Sequence, residues 1–443
     1  MTGVSSAERV EARVLDALAE RREAIVDLAR TLIGFDTTAR YPGDPPRDEA
    51  ALQAHLADRL RRAGADVELW EADPSELDDR QLPAGLEFDG RPQLVARFPG
   101  RGTGHSLLFG GHIDAVSVEP RERWSSDPLR AEVRDGVLYG RGACDMKGGV
   151  AAMVVAAETL AELGIELGGE LIVSTITDEE SSGAGGLAAV AHGVRADAGL
   201  VPEPTGFAAW VACRGILNPT ITVPGRSGHA DMPQPDWRDG GAVNAVDKAM
   251  TVLAAIRDLQ DAWKHHPEYD HPLLAPGLLV PTLVSAGDWM VTIPSACRIT
   301  LDVTYLHAQA DDDGHGTRVM REIEEHVIEA ASRDDWLAEH PPTFQWGADL
   351  PPAELRPDHP IVACALGAAA TVGRPGAAAG MNSWHDAATF TRAGTPTIDI
   401  GPSGFDSAHA VDERVPVNDL VACAQTYALC AMRFTASPER VET

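Results

Sequence analysis

In the first half of the chain the hydrophobic pattern alternates between helical and extended periods. Apolar positions at helical spacing predict one long amphipathic helix over residues 6–33 and a second helix over residues 48–64. Residues 148–163, rich in Ala and Val, predict a buried helix. Short apolar runs between these helices predict strands over residues 66–70, 93–98, 106–110 and 170–176. Such alternation is typical of an α/β fold with a mostly parallel sheet.

The pattern changes character near Cys213. The segments that follow are predicted, in order, to be a strand, a helix, two strands and a helix, over residues 216–223, 241–259, 278–284, 297–305 and 316–332. That order matches a ferredoxin-like α+β unit. A helix over residues 360–372 and a strand over residues 397–400 then resume the α/β pattern. We therefore predict a larger domain, residues 1–214 and 330–443, interrupted by a smaller domain, residues 215–329.

Length and charge narrow the function classes. A chain of 443 residues exceeds what one hydrophobic core normally organises, which agrees with two domains. The formal net charge of −30 would repel phosphate backbones and anionic lipids, so we expect neither a nucleic-acid partner nor attachment to a membrane. Because the sequence shows neither a signal peptide nor an apolar run that could span a bilayer, we predict a cytoplasmic protein.

Polar residues with metal-binding chemistry follow the predicted strands. The turn after residues 106–110 holds His112 and Asp114, whose spacing places both side chains on one side of an extended chain. This suits a metal-binding imidazole that is oriented by a carboxylate, although a capped loop histidine would give the same pattern. Glu179 and Glu180 follow the strand at residues 170–176, where parallel sheets present their ligand sites, although a solvated acidic loop is the alternative.

A glycine-rich turn over residues 140–149 carries Asp145. A phosphate-binding loop would require Ser or Thr after Lys147 and a different glycine spacing, so that interpretation does not fit. A single carboxylate in a rigid turn is instead well suited to bridging two cations. Imidazole and carboxylate ligands together suit zinc, and a set that contains one bridging acid suits a dinuclear site. Five candidate ligands lie after strands or in turns: His112, Asp145, Glu180, Glu203 and His409.

Six motifs together carry a family resemblance: GGHIDAV, GRGACDMKGG, TDEESSGAGG, VPEPTG, GRSGHADMP and SAHAVDERVPV. The chain resembles the zinc-dependent amidohydrolase and exopeptidase family that includes acetylornithine deacetylase, succinyl-diaminopimelate desuccinylase, aminoacylase and glutamate carboxypeptidase. The resemblance extends over residues 23–417. It implies a metal-dependent hydrolase of amide bonds with a discontinuous catalytic domain. The smaller inserted domain would be a lid and the dimerisation surface of a homodimer.

The resemblance also implies roles for the five candidate ligands. Asp145 would bridge two divalent metal ions, with zinc expected first and cobalt or manganese also compatible with the ligands. His112 and Glu203 would complete one metal site, and Glu180 and His409 the other.

Three further residues receive roles from the same motifs. Asp114 would orient His112, and Glu179 would be the general base, adjacent to a ligand without binding metal itself. His229, in the smaller domain, would reach into the partner's active site to stabilise the oxyanion. The resemblance further implies a cis peptide bond after Asp145.

The sequence departs from the family in the smaller domain. Val291 and Thr304 stand where many relatives carry an Asn and an Arg that hold a substrate carboxylate. Recognition of an α-carboxylate would then be absent, or it would shift to other polar residues: Arg298, Arg226 or Asn244. The alternative is that these three are ordinary surface or helix residues. Trp384 would form either a wall of the substrate site or part of the core.

Several functions compete at this stage. The leading hypothesis is a deacylase of small N-acyl amino acids or related N-acyl amines, and the alternative is a dipeptidase or carboxypeptidase on the same scaffold. A non-catalytic binding protein would have lost a ligand or the base, and none is lost here. A Ser-His-Asp hydrolase is disfavoured because no GxSxG motif is present. The sequence leaves the acyl group and the amine open.

Overall fold

The computed structural model describes residues 5–39 and 44–436. Two compact units make up the chain. The first contains residues 1–212, 354–380 and 385–443, and the second contains residues 213–353 and 381–384. Among the described residues, none of the helices is both long and apolar enough to cross a lipid bilayer.

The α-helices of the described chain, in order, are α1 (Ser6–Glu20), α2 (Arg22–Gly34), α3 (Glu49–Arg62), α4 (Lys147–Glu162), α5 (Glu179–Ser182), α6 (Ala184–Ala191), α7 (Ala245–Lys264), α8 (Thr317–Ala331), α9 (Asp335–Glu339), α10 (Pro360–Thr371), α11 (Ala387–Arg392) and α12 (Val417–Thr435). The strands are β1 (Asp66–Trp70), β2 (Gln93–Phe98), β3 (Leu107–His112), β4 (Glu132–Arg134), β5 (Val137–Tyr139), β6 (Leu171–Ile176), β7 (Ala198–Val201), β8 (Ala209–Cys213), β9 (Gly215–Leu217), β10 (Thr220–Pro224), β11 (Leu278–Ala286), β12 (Ala296–Tyr305), β13 (Thr343–Gln345), β14 (Asp349–Leu350), β15 (Ala353–Glu354), β16 (Ala378–Met381), β17 (Thr397–Asp399) and β18 (Arg414–Pro416).

The main sheet of the first unit has the order β1-β2-β6-β3-β7-β17-β8. Its four central strands, β6, β3, β7 and β17, are parallel, while β1, β2 and β8 extend the sheet in antiparallel fashion. Every residue of β3, β6 and β7 is buried, as expected for parallel strands that are covered on both faces. The predicted α/β fold with a mostly parallel central sheet flanked by helices is confirmed.

Helices of the first unit pack around α4, which is buried along nearly its whole length. The C-terminal helix α12 contacts α4 and α10, and α2 also contacts α4. Residues 6–33 form two helices rather than the single predicted one, so that prediction was wrong. The chain leaves helical geometry at Arg21, and the Arg21 guanidinium bonds to Thr159 and Glu162 at the end of α4.

The second unit is an antiparallel sheet with the α7 and α8 helices. β12 pairs with β11 on one side and with β9 and β10 on the other, and β10 and β9 pair in turn with β13 and β14. This is the strand arrangement of a ferredoxin-like fold. Because β13 and β14 complete its edge, this unit extends to Ala353, well past the predicted boundary at residue 329.

Two predicted elements of the second unit need correction. Residues 216–223 form two strands, since Pro219 lies between β9 and β10 and has no N–H for the ladder. The helix predicted over residues 241–259 begins at Ala245, because the Asn244 side chain accepts a hydrogen bond from Val246 N–H at 3.0 Å and caps it.

A three-stranded antiparallel sheet, β18-β5-β4, also belongs to the first unit. It joins the segment before the glycine-rich turn to a segment close to the C-terminus: Arg414 lies opposite Tyr139, and Pro416 opposite Val137. This pairing determines which loops surround the turn that carries Asp145.

Candidate metal centre

Three parallel strands end at one edge of the main sheet. β3 ends at His112, which lies in register with Ile176 at the end of β6. β7, on the other side of β3, ends at Val201. Because ligands of such sheets bind outside the carboxyl ends of the strands, the residues that follow these ends are placed to form a site. Glu179 and Glu203 both come from these turns.

Asp145 reaches this edge from the glycine-rich turn that follows β5. Its N–H group donates to the Glu413 carboxylate at 3.1 Å, and the carbonyl of Glu413 accepts from Gly140 N–H at 3.0 Å. The loop that precedes β18 carries His409 to the same place. The peptide bond between Asp145 and Met146 is cis, as the family resemblance implied.

Two groups of potential metal ligands result, and Asp145 belongs to both. In the first group, His112 Nε2 lies 3.3 Å from Asp145 Oδ1 and 3.5 Å from Glu203 Oε1. In the second, His409 Nε2 lies 3.4 Å from Asp145 Oδ2 and 3.1 Å from Glu180 Oε2. Within each group the ligand atoms all lie within 4.8 Å of one another. The two oxygens of Asp145 therefore point to different groups, which is the geometry of a bridging carboxylate.

The donor set fits two divalent cations. His112 Nε2 and Glu180 Oε1 are buried and have no hydrogen-bond partner among the described residues. A buried polar atom without a partner is costly, and one metal ion at each position would satisfy the atom that lies there. One imidazole and two carboxylates at each position are ligands that zinc commonly takes.

Asp114 contributes through two sets of contacts. His112 Nδ1 lies 3.0 Å from the backbone carbonyl of Asp114 and 3.6 Å from its carboxylate, so Nδ1 is held by this residue while Nε2 faces the ligands. The same carboxylate accepts hydrogen bonds from the N–H groups of Glu179 and Glu180, at 3.2 and 3.0 Å. Asp114 thus ties the turn after β3 to the first turn of α5.

The cluster contains several carboxylates close together, and a positive charge among them would reduce their repulsion. Burial, together with the negative charge of Asp145, raises the pKa of Glu203 and of Glu180 to about 7 each. Contacts with Asp145 and Glu180 raise the pKa of His409 to about 10. In the protein alone, protons on the imidazoles compensate the clustered carboxylates, and bound dications would replace those protons.

Glu179 is close to the ligands without belonging to either group. Its Oε2 atom lies 4.0 Å from His112 Nε2. Burial raises the pKa of Glu179 well above its usual range, an effect that His112 opposes and Asp386 reinforces. A carboxylate that binds protons readily and lies beside the ligand atoms is suited to general acid–base chemistry.

Comparison with known proteins agrees with this geometry. Residues 108–433 match the model of the peptidase family M20/M25/M40. The chain belongs to this family. The predicted family, and with it the prediction of a hydrolase that acts on amide bonds, is confirmed.

Individual members of the M20/M25/M40 family show the extent of the similarity. The chain is 27% identical over 420 residues to N-formyl-4-amino-5-aminomethyl-2-methylpyrimidine deformylase from Bacillus subtilis, covering 91% of this chain and 92% of that protein. It is 32% identical over 405 residues to succinyl-diaminopimelate desuccinylase from Xanthomonas oryzae pv. oryzae, covering 88% and 95%. The solved structure of the dipeptidase Dug1p from Saccharomyces cerevisiae has a TM-score of 0.71 at 15% identity, covers 97% of this chain and 99% of that one, and shows the shared fold.

Glu413 is a site residue of this M20 chain that sequence reasoning missed. Its buried carboxylate accepts from the N–H groups of Gly142, Cys144 and Asp145 at 2.9–3.1 Å. It also accepts from Arg141 Nη1 at 2.7 Å. The signal was present in the sequence, because Arg141 and Glu413 stand in two of the motifs that carry the family resemblance.

A second buried network supports the turn that carries Glu179 and Glu180. Asp178 has a left-handed backbone, with φ of 70°, and its carboxylate accepts from Arg91 Nη2 at 2.6 Å. Arg91 also pairs with Glu49 at 3.4 Å. Sequence reasoning did not identify this network, because Arg91 lies far from Asp178 in the chain.

A histidine–aspartate pair lies buried in the same unit. His385 Nδ1 lies 2.8 Å from Asp399 Oδ2, and burial of both residues is almost complete. The next residue, Asp386, is also buried, and its two carboxylate oxygens have no hydrogen-bond partner among the described residues. Burial raises the pKa of Asp386 well above its usual range, which favours its protonated form.

The remaining predicted site residues belong to the second unit. His229 is exposed and lies on a short bridge opposite Thr292. Arg298 is exposed on β12, whereas Trp384 is buried. Asn244 caps α7, as described above.

Arg226 has structural contacts of its own. Its Nη1 donates to the carbonyls of Trp237 at 2.6 Å and Gly241 at 3.2 Å. Its guanidinium also lies over the Trp336 ring, 4.9 Å from the centroid. Arg226 and Asn244 therefore have roles in the fold of the second unit and are half-buried, whereas Arg298 is exposed.

Proposed function

We propose that this M20 hydrolase removes the acyl group from a small N-acyl amine by means of two divalent metal ions. The observation that carries the proposal is the position of Asp145, whose two oxygens face two separate ligand groups. His112 and Glu203 would hold the first ion, and Glu180 and His409 the second. Zinc is the ion expected first from this donor set, while cobalt or manganese would also be accepted.

When bound, the two ions would lower the pKa of a shared water and polarise the carbonyl of the substrate. Glu179 would accept the proton of that water, a role supported by its carboxylate lying beside the ligand atoms with a raised pKa. The same carboxyl group would then deliver the proton to the nitrogen of the leaving amine as the carbon–nitrogen bond breaks. Glu179 would thus act first as the base and then as the acid.

Asp114 would act by orientation. Its backbone carbonyl holds Nδ1 of His112, and its carboxylate accepts from the N–H groups of Glu179 and Glu180, so this single residue would position one ligand of each ion and the general base. His229 is proposed, from the family resemblance, to donate a hydrogen bond to the oxyanion in the active site of the partner subunit.

The names of related proteins favour deacylation. The Bacillus subtilis relative is named as a deformylase and the Xanthomonas oryzae relative as a desuccinylase, and both remove an acyl group from an amine. A dipeptidase or carboxypeptidase remains the alternative function. Either activity would use the same ligands and the same base, so the substrate has to separate them.

We also propose a homodimer that forms through the second unit. β11 pairs with β12 alone among the described strands, which leaves the other edge of β11 open. This edge strand exposes Leu283 and Val284, and the nearby loop exposes Met290, with 90% of its surface accessible. Exposed edges with large apolar side chains are typical of surfaces that pair with another chain. A cytoplasmic location remains a prediction from the sequence.

A substrate screen of the metal-loaded protein tests the proposal. N-formyl, N-acetyl and N-succinyl amines and a set of dipeptides are each incubated with the zinc, cobalt and manganese forms, with a chelated sample as the control. We expect chelator-sensitive release of an amine from at least one N-acyl compound. Hydrolysis of dipeptides alone would favour the alternative, and intact substrates throughout with two metals bound would contradict the proposal.

A further inference from the structure

A cavity of about 740 Å³ in the first unit adjoins the candidate metal centre. Its described lining residues come from four parts of the chain: Ala39 with residues 44–46, residues 83–91, residues 116–117 and residues 178–182. Its volume falls within the range of small-molecule sites. Glu180, a candidate ligand, belongs to its lining, and the buried Glu180 Oε1 has no hydrogen-bond partner among the described residues. A molecule in this cavity would therefore lie against the metal centre.

The walls of this cavity are largely apolar. Ala39, Leu86 and Val116 contribute aliphatic surface, and Pro45, Pro46 and Pro83 contribute rigid rings. Such walls suit a flat or compact apolar group, because burying apolar surface is favourable and the proline rings lose little freedom when a ligand binds.

The charged groups of the lining are nearly all acidic. Five of its described residues are carboxylates: Asp44, Glu87, Asp89, Asp178 and Glu180. The one cation among the described lining residues is Arg91, which is buried and already committed to Asp178 at 2.6 Å and Glu49 at 3.4 Å. Glu87 and Asp89 are exposed on the loop of residues 83–91. Among the described lining residues, a substrate carboxylate would thus meet like charge and no free guanidinium or ammonium.

We infer that this cavity, called here the acidic cavity, binds the larger portion of the substrate and selects an apolar or aromatic group that carries an amino substituent. The apolar walls accommodate the ring or chain, and the carboxylates of Glu87 and Asp89 attract a cationic or hydrogen-bond-donating nitrogen. A substrate with a carboxylate in the same place is disfavoured. This inference rests on the proposed deacylase function and adds to it the chemical class of the substrate.

Three matched substrates test the inference. N-formylbenzylamine is prepared with a para-aminomethyl, a para-methyl or a para-carboxylate group, so that the charge changes while the scissile bond stays the same. We expect kcat/KM of the metal-loaded enzyme to fall in that order. We call the kcat/KM for the aminomethyl substrate divided by that for the carboxylate substrate the selectivity ratio. In the variant Glu87→Gln/Asp89→Asn, we expect this ratio to fall by about 3- to 20-fold, as for two partly exposed ion pairs.

A control variant is needed because a net charge of −30 attracts any cation. It distinguishes the effect of the cavity carboxylates from that of the overall negative charge. Glu76→Gln/Glu122→Gln removes the same charge from exposed residues outside the cavity lining, and we expect it to leave the ratio unchanged. Leu86→Trp fills part of the cavity, so it should lower kcat/KM for all three ring substrates by about 10-fold or more, the scale of a lost close fit. It should have little effect on N-formylmethylamine.

The outcomes distinguish failure of the proposed deacylase function from failure of the inference about the acidic cavity. If a protein that binds two metals hydrolyses neither the ring substrates nor any N-formyl, N-acetyl or N-succinyl amine of the substrate screen, the proposed function fails, and the inference fails with it. If it hydrolyses other N-acyl amines of the screen but none of the three ring substrates, the inference fails while the proposed function stands. If they are hydrolysed but the carboxylate substrate is preferred, or if the cavity variant and the control change the ratio equally, the acidic cavity is not the selecting site while the proposed function stands.

Discussion

The two units of this chain differ in how their predicted functional residues are held. In the first unit, His112, Asp145 and Glu203 are buried. The backbone carbonyl of Asp114 holds the His112 ring, and the Glu413 carboxylate accepts from Asp145 N–H. In the second unit, His229 and Arg298 are exposed. Buried and mutually fixed polar groups suit chemistry that needs exact positions, whereas exposed groups suit contacts made with a substrate or a second chain. The comparison supports the proposal that the first unit would carry the reaction and that the second unit would contribute through what it binds.

The strongest test of this contrast is Glu179→Gln beside Glu180→Gln. Glu179 belongs to neither ligand group, so its variant should keep both metals while kcat falls by about 10²–10⁴-fold, the contribution of a general base. Glu180 is a candidate ligand, so its variant should lose metal as well as activity. Metal content by plasma mass spectrometry and steady-state kinetics check both results. Near-normal turnover of Glu179→Gln would remove it as the base.

A test of the second unit uses subunit complementation. His229→Ala should lower kcat by about 10²–10³-fold if His229 stabilises the oxyanion. When His229→Ala and Glu179→Gln dimers are mixed and exchange subunits, one site of each heterodimer has both groups only if His229 acts in the partner's active site. The mixture should then recover about a quarter of the wild-type activity, since half the dimers are mixed and one of their two sites is complete. No recovery after verified exchange would exclude action in the partner's site.

A substitution of Glu413, which contacts the turn that carries Asp145, is expected to have an effect of intermediate size. Glu413→Gln keeps the size of the side chain but loses charge-assisted acceptance from the turn and from Arg141. We expect metal affinity to fall by about 10- to 100-fold, as for other residues that orient a ligand. Isothermal titration with zinc measures this directly. Glu354→Gln, an exposed residue, serves as the control, and equal affinities of the two variants would show that Glu413 does not position Asp145.

The smallest expected effect is on stability as a function of pH. Glu180 and Glu203 have pKa values raised to about 7 and His409 to about 10, so their protonated forms stabilise the folded metal-free protein. This stabilisation is complete below the ordinary pKa values and is lost as pH rises through 7 for the acids and 10 for His409. The depressed pKa of Asp145 acts only in more acidic solution.

The chelated protein should therefore lose several degrees in Tm between pH 5 and pH 9, and the metal-loaded protein should lose less, because dications replace those protons. Thermal unfolding followed by circular dichroism measures both samples. Parallel curves for the two samples would indicate that these groups do not hold the protons assigned to them.

Much of the fold was predictable from periodicity. β1 and β2 have the predicted bounds, β6 begins one residue later than predicted, and α4 differs from its prediction by a residue at each end. The break at Arg21 was not predictable, because it depends on contacts with Thr159 and Glu162 rather than on the local pattern. For the same reason the boundary of the second unit was set too early, since the short strands β13 and β14 are identified only by their pairing with β10 and β9.

The residues of the candidate site likewise include some that the sequence predicts and some that it does not. The residues named as ligands lie together because they follow strand ends or lie in family motifs, features that the sequence displays. Glu413 also stands in a family motif, but its role, like that of the Arg91–Asp178 pair, comes from contacts between distant segments that the sequence does not display. The candidate substrate residues stay predictions, although the Asn244 side chain, at the start of α7, also caps this helix.

The central claim is that Asp145 is shared by two metal ions, and metal stoichiometry tests it most directly. Zinc is titrated into four metal-free proteins: the wild type, His112→Ala, His409→Ala and Asp145→Ala. The number of ions bound per chain is counted at equilibrium. The account predicts two ions for the wild type, one for each histidine variant and none bound tightly by Asp145→Ala. If Asp145→Ala still binds one ion with the affinity of a histidine variant, the two sites do not share this residue and the account is wrong.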